Sequence, residues 1–492
     1  MSYVVTNKWM RAGYAEGLRA MFAEKAWIEF VADFGHAKKF FPDADVFPSV
    51  IVVRKPADSD APDETQVCAV SRDDVPEKDL EEFVGNNTYA LPRTYLARTP
   101  WALEPPDVSS LMAKLRERAT TLRDVVPSLP VNGIKTGLNE AFLITAEEED
   151  ALVAADPNCK QLIKPYLRGQ DIRRWCSGGA DQRMILLPSS ADHAWPWCQS
   201  ATEVEAEEIF QATYPSIYER MKRFESYKDK KSGKQRGLRH REDQGRFWWE
   251  LRPCAYYQVF SKAKIIYQAI QFHPRYMYVQ DEVYGNNKTY FLPAESPALL
   301  AALNSPLLWW FGWRHFIHMK DEALSNDQVK IADLPIAERL LTSHKISESA
   351  RKLIQSSRSV IDVDLSTIRW LAHEFGLDRT PAKLKAVSAL TADDFVRAVR
   401  GGLPRSRRLS ASEISELHRE YADTIASARE IRSEILVLEN QLSGLVNEAY
   451  GLTPEEVALM WRTAPPRMPF TPAGLASDAH EPDENDNWDE DE

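Results

Sequence analysis

The sequence predicts a mixed α/β chain in three unlike parts: a short α/β sheet, a strand-rich α+β segment and a helical region. Three observations predict this. A strand–helix–strand–strand rhythm occupies the first 55 residues, short β-branched and aromatic runs recur between 126 and 335, and from about 345 apolar residues fall at helical spacing. At 492 residues the chain has room for two to four domains, each with its own core.

In the first part, "SYVVT" reads as a strand, "YAEGLRAMFAEK" as a helix and "WIEFVADF" as a strand; the apolar run "SVIVVRK" reads as a strand covered on both faces. Three strands are few for a complete sheet, and an uncovered apolar edge is expected. The Pro- and Asp-rich "PADSDAPDETQ" (56–66) reads as a linker or loop, with a helix expected around 108–125. Between 126 and 335, "FLIT", "RMILLP", "AKIIYQAI", "RYMYVQ" and "TYFLP" predict mainly antiparallel strands. Further on, Ile414, Leu417, Tyr421, Thr424, Ala428, Ile431, Ile435, Leu438, Leu442, Leu445 and Ala449 step by threes and fours. That seam fits either a long bundle helix or half of a coiled coil that docks a partner. Gly451 suits a left-handed C-cap, and Thr453, Pro454 and Glu456 form the start signal of a further helix.

The net charge of −12 is concentrated at one end. Nine acidic residues and no basic ones follow Arg467, so the rest of the chain is nearly neutral and the tail reads as solvated and disordered. Five cysteines without a CxxC pair argue for a reducing, cytoplasmic setting, and no apolar run is long enough to span a bilayer.

Familiar catalytic motifs are missing: there is no GxSxG elbow, HExxH helix or GxxxxGK[ST] loop. His315 and His318 have metal-like spacing, but their setting among Trp309, Trp310, Trp313 and Phe316 favours packing. One stretch, "KDKKSGKQRGLRHREDQGRFWWELRP", pairs flexible basic residues with aromatics. Lys228, Lys230, Lys231, Lys234, Arg236, Arg239 and Arg241 lead into Arg246, Trp248 and Trp249. Such residues neutralise phosphates, read base edges or stack on bases; a solvated lysine loop beside a buried Trp pair fits equally well.

"GIKTGLNEAFLI" (133–144) and "LIKPYLRGQDIRRW" (162–175) are followed in order by "FWWELRP", "SKAKIIYQAI" and "GNNKTYFLPAESPALLAALNSPLLWW" (285–310). This series resembles the target-recognition domain of TaqI-like adenine-specific DNA methyltransferases and type IIG restriction–modification enzymes. The resemblance implies double-stranded DNA as the partner, with Lys135 and Thr136 near the phosphate backbone, although a purely structural turn remains the other reading. Arg168, Asn286, Asn287 and Lys288 join the DNA-binding candidates on the matching motifs.

"SYVVTNKWMRAGYAEGLR" and "VADFGHAKKFFPDADVFPSVIVVRK" are similar to the second half of the catalytic domain of the same enzymes. The resemblance puts Phe41, with Phe40 and Phe47 as competitors, where an aromatic side chain stacks on a flipped-out adenine. The family's FxGxG loop for S-adenosylmethionine and its [ND]PP[YF] tetrapeptide are not found, so no residue here is assigned to methyl transfer and the cofactor site is expected outside this sequence. The implied layout is the rear part of a methyltransferase catalytic domain at 1–55, a linker and helix at 56–125, a DNA target-recognition domain at 126–335, a helical or coiled-coil domain at 336–470 and a disordered acidic tail at 471–492. The expected function is that of the DNA-recognising component of an adenine-N6 methyltransferase in restriction–modification or phage defence, with the catalytic half on a partner polypeptide. The alternatives are a non-catalytic specificity subunit or a truncated relic.

Overall fold

The computed structural model describes residues 1–35, 40–41, 46–57, 61–70, 76, 78–101, 103–228, 233–319, 323–377, 380–404, 407–470 and 472. Lys230, Lys231 and the acidic tail therefore lie outside the described residues. The chain is mixed α/β, as its sequence predicts.

The N-terminal sheet has five strands: β1 (Ser2–Thr6), β2 (Trp27–Asp33), β3 (Pro48–Arg54), β4 (Glu64–Ala69) and β5 (Tyr89–Pro92), in the order β1-β3-β2-β4-β5. Helix α1 (Glu16–Lys25) connects the first two. The sheet therefore does not stop at residue 55. β4 lies inside the stretch expected to be a linker and pairs in parallel with β2 from Phe30 opposite Gln66 to Asp33 opposite Ala69. Its sequence, "ETQVCA", gives only a weak strand signal, and pairing decides its conformation. Arg19, almost fully buried, ties the unit together by donating from Nη1 to the carbonyls of Trp9 (2.8 Å) and Ala12 (2.7 Å) and from Nε to that of Arg98 (3.0 Å). β1 pairs only with β3 among the described residues, and all five of its residues are exposed, Tyr3, Val4 and Val5 included. The expected apolar edge is present.

Helix α2 (Pro106–Glu117) leads into the central region. There, β6 (Val131–Asn132), β7 (Leu143–Thr145), β8 (Ile163–Leu167), β9 (Gln182–Ile185), β12 (Lys264–Gln268), β13 (Tyr276–Val279), β14 (Tyr284–Gly285) and β15 (Thr289–Pro293) form two four-stranded sheets, ordered β14-β8-β9-β7 and β13-β12-β15-β6. Between them in sequence, β10 (Tyr227–Lys228) and β11 (Gln235–Arg236) make a separate hairpin. The pairings are antiparallel except β14 with β8. Helices α3 (Glu203–Thr213) and α4 (Pro215–Arg223) cover the first sheet, and α5 (Pro297–Leu303) and α6 (Pro306–His315) cover the second. His315 and His318 each place Nε2 against a backbone carbonyl, Lys330 O at 3.0 Å and Trp313 O at 2.7 Å, which is packing rather than ligation.

The helical unit is built on α7 (His344–Phe375), with α8 (Ala392–Gly402), α9 (Ala411–Glu420) and α10 (Ala426–Ala449). The heptad seam faces inward. Leu442 and Val446 share a core with Ile346, Ala350 and Leu353, while Leu417 and Ile425 join Leu371 and Phe375. Of the two readings, the bundle helix is the one the fold adopts, and a π-helical turn at Tyr421–Ile425 interrupts the regular repeat. Gly451 takes φ +64°, and Thr453 with Glu456 forms the capping box of α11 (Pro454–Arg462). No helix among the described residues is long and apolar enough to cross a membrane.

After α11 the chain runs back over the central region. Phe470 is buried, and the Arg467 guanidinium sits 4.8 Å from the centre of the Phe272 ring. Beneath it His273 is 7% exposed; burial, with Arg275 and Arg467 nearby, pulls its imidazole down to about 4 from an ordinary 6.5. A neutral native histidine takes up its proton only on unfolding, so its contribution is intact above about pH 6.5 and is lost as pH falls towards 4. Acidification from pH 7 to 4.5 should cost roughly 3 kcal/mol through this residue. His273→Gln should remove that part of the pH dependence in urea titrations, and an unchanged dependence would refute the assignment.

Candidate nucleic-acid interface

The basic and aromatic residues singled out by the sequence separate into an interior group and a surface group. Arg241 defines the interior one. It is 7% exposed, donates from Nη1 to Thr136 O (2.6 Å) and from Nη2 to the carbonyls of Trp248 (3.1 Å) and Glu250, and lies 4.8 Å from the Phe142 ring centre. Burial lowers its guanidinium to about 10, while Asp243 and Glu250 act to hold the charge in place. The Glu250 carboxylate is fully buried. It accepts from Trp197 Nε1 (2.9 Å) and from the backbone amides of Ser190 (3.1 Å), Arg246 (2.9 Å) and Phe247 (3.2 Å).

Trp248 and Trp249 belong to this interior. Trp249 stacks between Phe210 (5.2 Å) and Phe247 (5.0 Å), and Trp248 stands edge-on to it. Arg239 closes over Trp248 and is paired with Glu203 and Glu225, both at 2.6 Å, and Arg246 donates to Cys198 O (2.6 Å) and Ser200 O (3.2 Å). The expectation that Arg239, Arg241, Arg246, Trp248 and Trp249 contact DNA is corrected: they hold the domain together. Their alternative, a buried Trp pair, is what the structure shows. Basic residues adjacent in sequence to a lysine loop carry no local mark of being buried, so only the packing separates the two.

The surface group has two parts. The first is the β10–β11 hairpin, on which Lys228, Lys234 and Arg236 are exposed. Gly237, at φ +121°, fixes its base, because a Cβ there would lie 2.6 Å from Glu225 O and 2.7 Å from Phe224 O. The second gathers three separate motifs at one end of the parallel β8–β14 pair. Leu167 is opposite Gly285, so Arg168 leaves its strand beside Asn286. The 133–137 segment threads past the same turn, with Ile134 N donating to Gly285 O (2.8 Å), Gly133 N to Thr289 O (2.8 Å) and Asn132 Nδ2 to Asn287 O (3.0 Å). Lys135 is half-exposed and bridges to Asp243 at 2.9 Å, and Asn287 and Lys288 are exposed at the turn. Asn286 shapes that turn, its Oδ1 accepting from Lys288 N (3.0 Å) and Thr289 Oγ1 (3.1 Å). Arg168 is bound to Asp171, and Thr136 is buried with its hydroxyl on Asn139 Oδ1 (2.6 Å). Thr136 is thus part of the scaffold, not the surface.

Among the three aromatics at the N-terminal unit, Phe47 is buried beneath Lys8, and Phe40 packs edge-on to Phe34 at 5.3 Å. Phe41 is 43% exposed.

A family described as a domain of unknown function (DUF8810) matches residues 341–446, which cover α7 to most of α10. No curated protein matches the chain. Among solved structures, the type IIL restriction–modification enzyme MmeI in complex with DNA aligns at 12% identity and TM-score 0.36, covering 93% of this chain and 50% of that one. The type IIG restriction endonuclease BpuSI aligns at 13% and 0.33, with coverages of 92% and 47%, and the DNA-bound ATP-dependent type ISP enzyme LlaBIII at 9% and 0.29, with 72% and 25%. The chain spans about half the length of the first two. The superpositions are loose, and the argument below rests on the chain's own residues.

Two substitutions test the scaffold. Arg241→Met strands buried carbonyls and uncouples the 133–137 segment, and should cost roughly 3–5 kcal/mol in chemical denaturation. Gly133→Ala puts a Cβ 2.1 Å from Asn286 O and should cost upwards of roughly 1–3 kcal/mol, whereas Gly85→Ala, with open space around it, should be neutral or mildly stabilising. Equal melting temperatures for the two alanine variants would contradict the packing described.

Proposed function

We propose that this chain is the DNA-recognising component of a site-specific adenine-N6 methyltransferase of restriction–modification or phage-defence type. The observation that carries the reading is the convergence of Lys135, Arg168, Asn287 and Lys288, from three separated motifs, beside the β8–β14 strand ends, with a basic hairpin presented separately. Phosphate contacts from such residues would set register on the duplex, while side chains at the turn would reach base edges. Phe41 supplies an exposed ring of the kind needed to stack on an extruded adenine.

The methyl donor, S-adenosylmethionine, is assigned to a catalytic half on another polypeptide, with no residue of this chain in its site. What supports this division is β1: its residues are exposed on both faces of the sheet, so the layer that would continue the sheet there must bring a strand and its covering elements together. The second reading, a specificity subunit without any catalytic partner, shares the same DNA surface but leaves that edge unexplained.

The first test is binding of duplex DNA across a range of salt concentrations. Lys230→Ala, Lys231→Ala and Lys234→Ala together should weaken binding to all sequences and lower the log–log salt slope by roughly two to three. Binding that is unchanged by the triple substitution would sink the role of the hairpin. Methyl transfer to DNA adenine should appear only when the chain is combined with a polypeptide carrying the FxGxG and [ND]PP[YF] motifs; transfer by the chain alone would overturn the division of labour.

A further inference from the structure

A second concentration of positive charge lies outside every motif considered so far. The loop at 271–275 is drawn tight by Gln271, whose Oε1 accepts from Arg275 N (3.3 Å) and whose Nε2 donates to Arg275 O (3.5 Å). Three arginines from distant parts of the chain meet there. Arg275 comes from the loop itself. Arg174 donates from Nη1 to Pro274 O (3.4 Å) while its Nε holds Glu439 at 2.6 Å, and Arg467 stacks on Phe272. His273 is buried among them, and its Nε2 has no hydrogen-bond partner.

We infer that Arg275 and Arg467, beside the Phe272 ring, hold a phosphate group, supplied under the reading above by the DNA backbone. Glu439 offsets the charge of Arg174 alone, so the cluster as a whole favours an anion. Planar guanidinium forks suit phosphate oxygens, and the stacking on Phe272 holds one fork in place. The imidazole adds a ring nitrogen whose protonated form would donate to the same anion. The position fits the proposed DNA track: Ala269 N donates to Lys288 O at 2.8 Å, and Phe272 is three residues further on. Three residues span at most roughly 10 Å. With one phosphate per roughly 3.4 Å of axis on each strand, a backbone touching Lys288 can also reach Arg275 and Arg467. The inference extends the interface from the central region to the segment after α11.

The test uses the full chain, the double variant Arg275→Ala/Arg467→Ala and its charge-keeping counterpart Arg275→Lys/Arg467→Lys. Duplex binding is measured over a salt series, inorganic phosphate binding is measured by titration calorimetry, and melting is followed as a control. The expected result is a salt slope lowered by roughly two in the alanine variant and retained in the lysine variant. Duplex binding by the parent chain that the alanine pair leaves unchanged would overturn this site and leave the DNA reading standing. A parent chain that ignores DNA but binds inorganic phosphate, with loss in the alanine variant, would uphold a phosphate site and overturn the DNA reading. Binding of neither would overturn both. Should the alanine variant fail to melt cooperatively, the single substitutions Arg275→Gln and Arg467→Gln carry the same test.

Discussion

The central region depends on one buried contact, the Arg241 guanidinium against the carbonyls of Thr136, Trp248 and Glu250. A guanidinium has five donors in a fixed plane and cannot shed its proton, so burying it demands carbonyls at set positions. Here they come from segments more than a hundred residues apart, and satisfying the cation forces the 133–137 turn against the 248–250 loop. Gly137 takes φ +71° within van der Waals reach of the Arg241 side chain, where any other residue would push the chain away. The Glu250 carboxylate completes the arrangement by capping three backbone amides and Trp197 Nε1. The lysine–threonine–glycine turn is therefore a clamp whose outer side carries Lys135, and its likeness to a phosphate-binding loop is superficial.

That clamp determines what reaches the surface. Once Thr136 faces inward, Lys135 must face outward, and Gly133 is pressed onto the Gly285–Asn286 backbone. The parallel pairing of β8 with β14 then brings Arg168 to the same place. Parallel pairs need long crossovers, so three motifs scattered over some 150 residues meet only after the whole sheet has formed. The hairpin carrying Lys228, Lys234 and Arg236 differs: it depends on Gly237 and its own two short strands, and so it can vary without disturbing the core.

Much of the fold was legible in the sequence where local chemistry decides it. The strands "KIIYQ" and "TYFLP", the glycine stop at Gly451 and the Thr453–Glu456 box all follow from periodicity or capping. What escaped were features set by distant partners. β4 is a strand because β2 and β5 flank it. The π turn at Tyr421–Ile425 shifts the helix by a fraction of a turn so that Tyr421 Oη can reach Leu390 O (2.9 Å), a contact that heptad counting cannot anticipate. In the candidate site, Lys135, Asn287 and Lys288 were found because glycine-flanked turns hold polar residues at the surface. Arg239, Arg241 and Arg246 were misplaced because an arginine's burial depends on acceptors that are remote in sequence. Arg275 and Arg467 had no motif to mark them.

The helical unit is not an appendage to the DNA-facing region. Glu439 of α10 accepts from Arg174 Nε (2.6 Å) and Trp175 Nε1 (2.5 Å), and Trp175 holds φ +76°, a conformation that a bulky side chain adopts only when its surroundings impose it. Its amide and carbonyl are fixed by Tyr276 O and Tyr278 N, so the strain lies at the point where helix, strap and sheet meet. The N-terminal unit is tied on by Arg314 to Glu104 (3.0 Å), and α2 by Lys114 to Glu456 of α11. These are charged contacts between buried or half-buried groups, costly to break singly and specific in register. A sheet edge left open at β1, a fixed reading surface and a rigid helical brace form one mechanical body, so anything docked at β1 would be held at a set distance from the proposed DNA track.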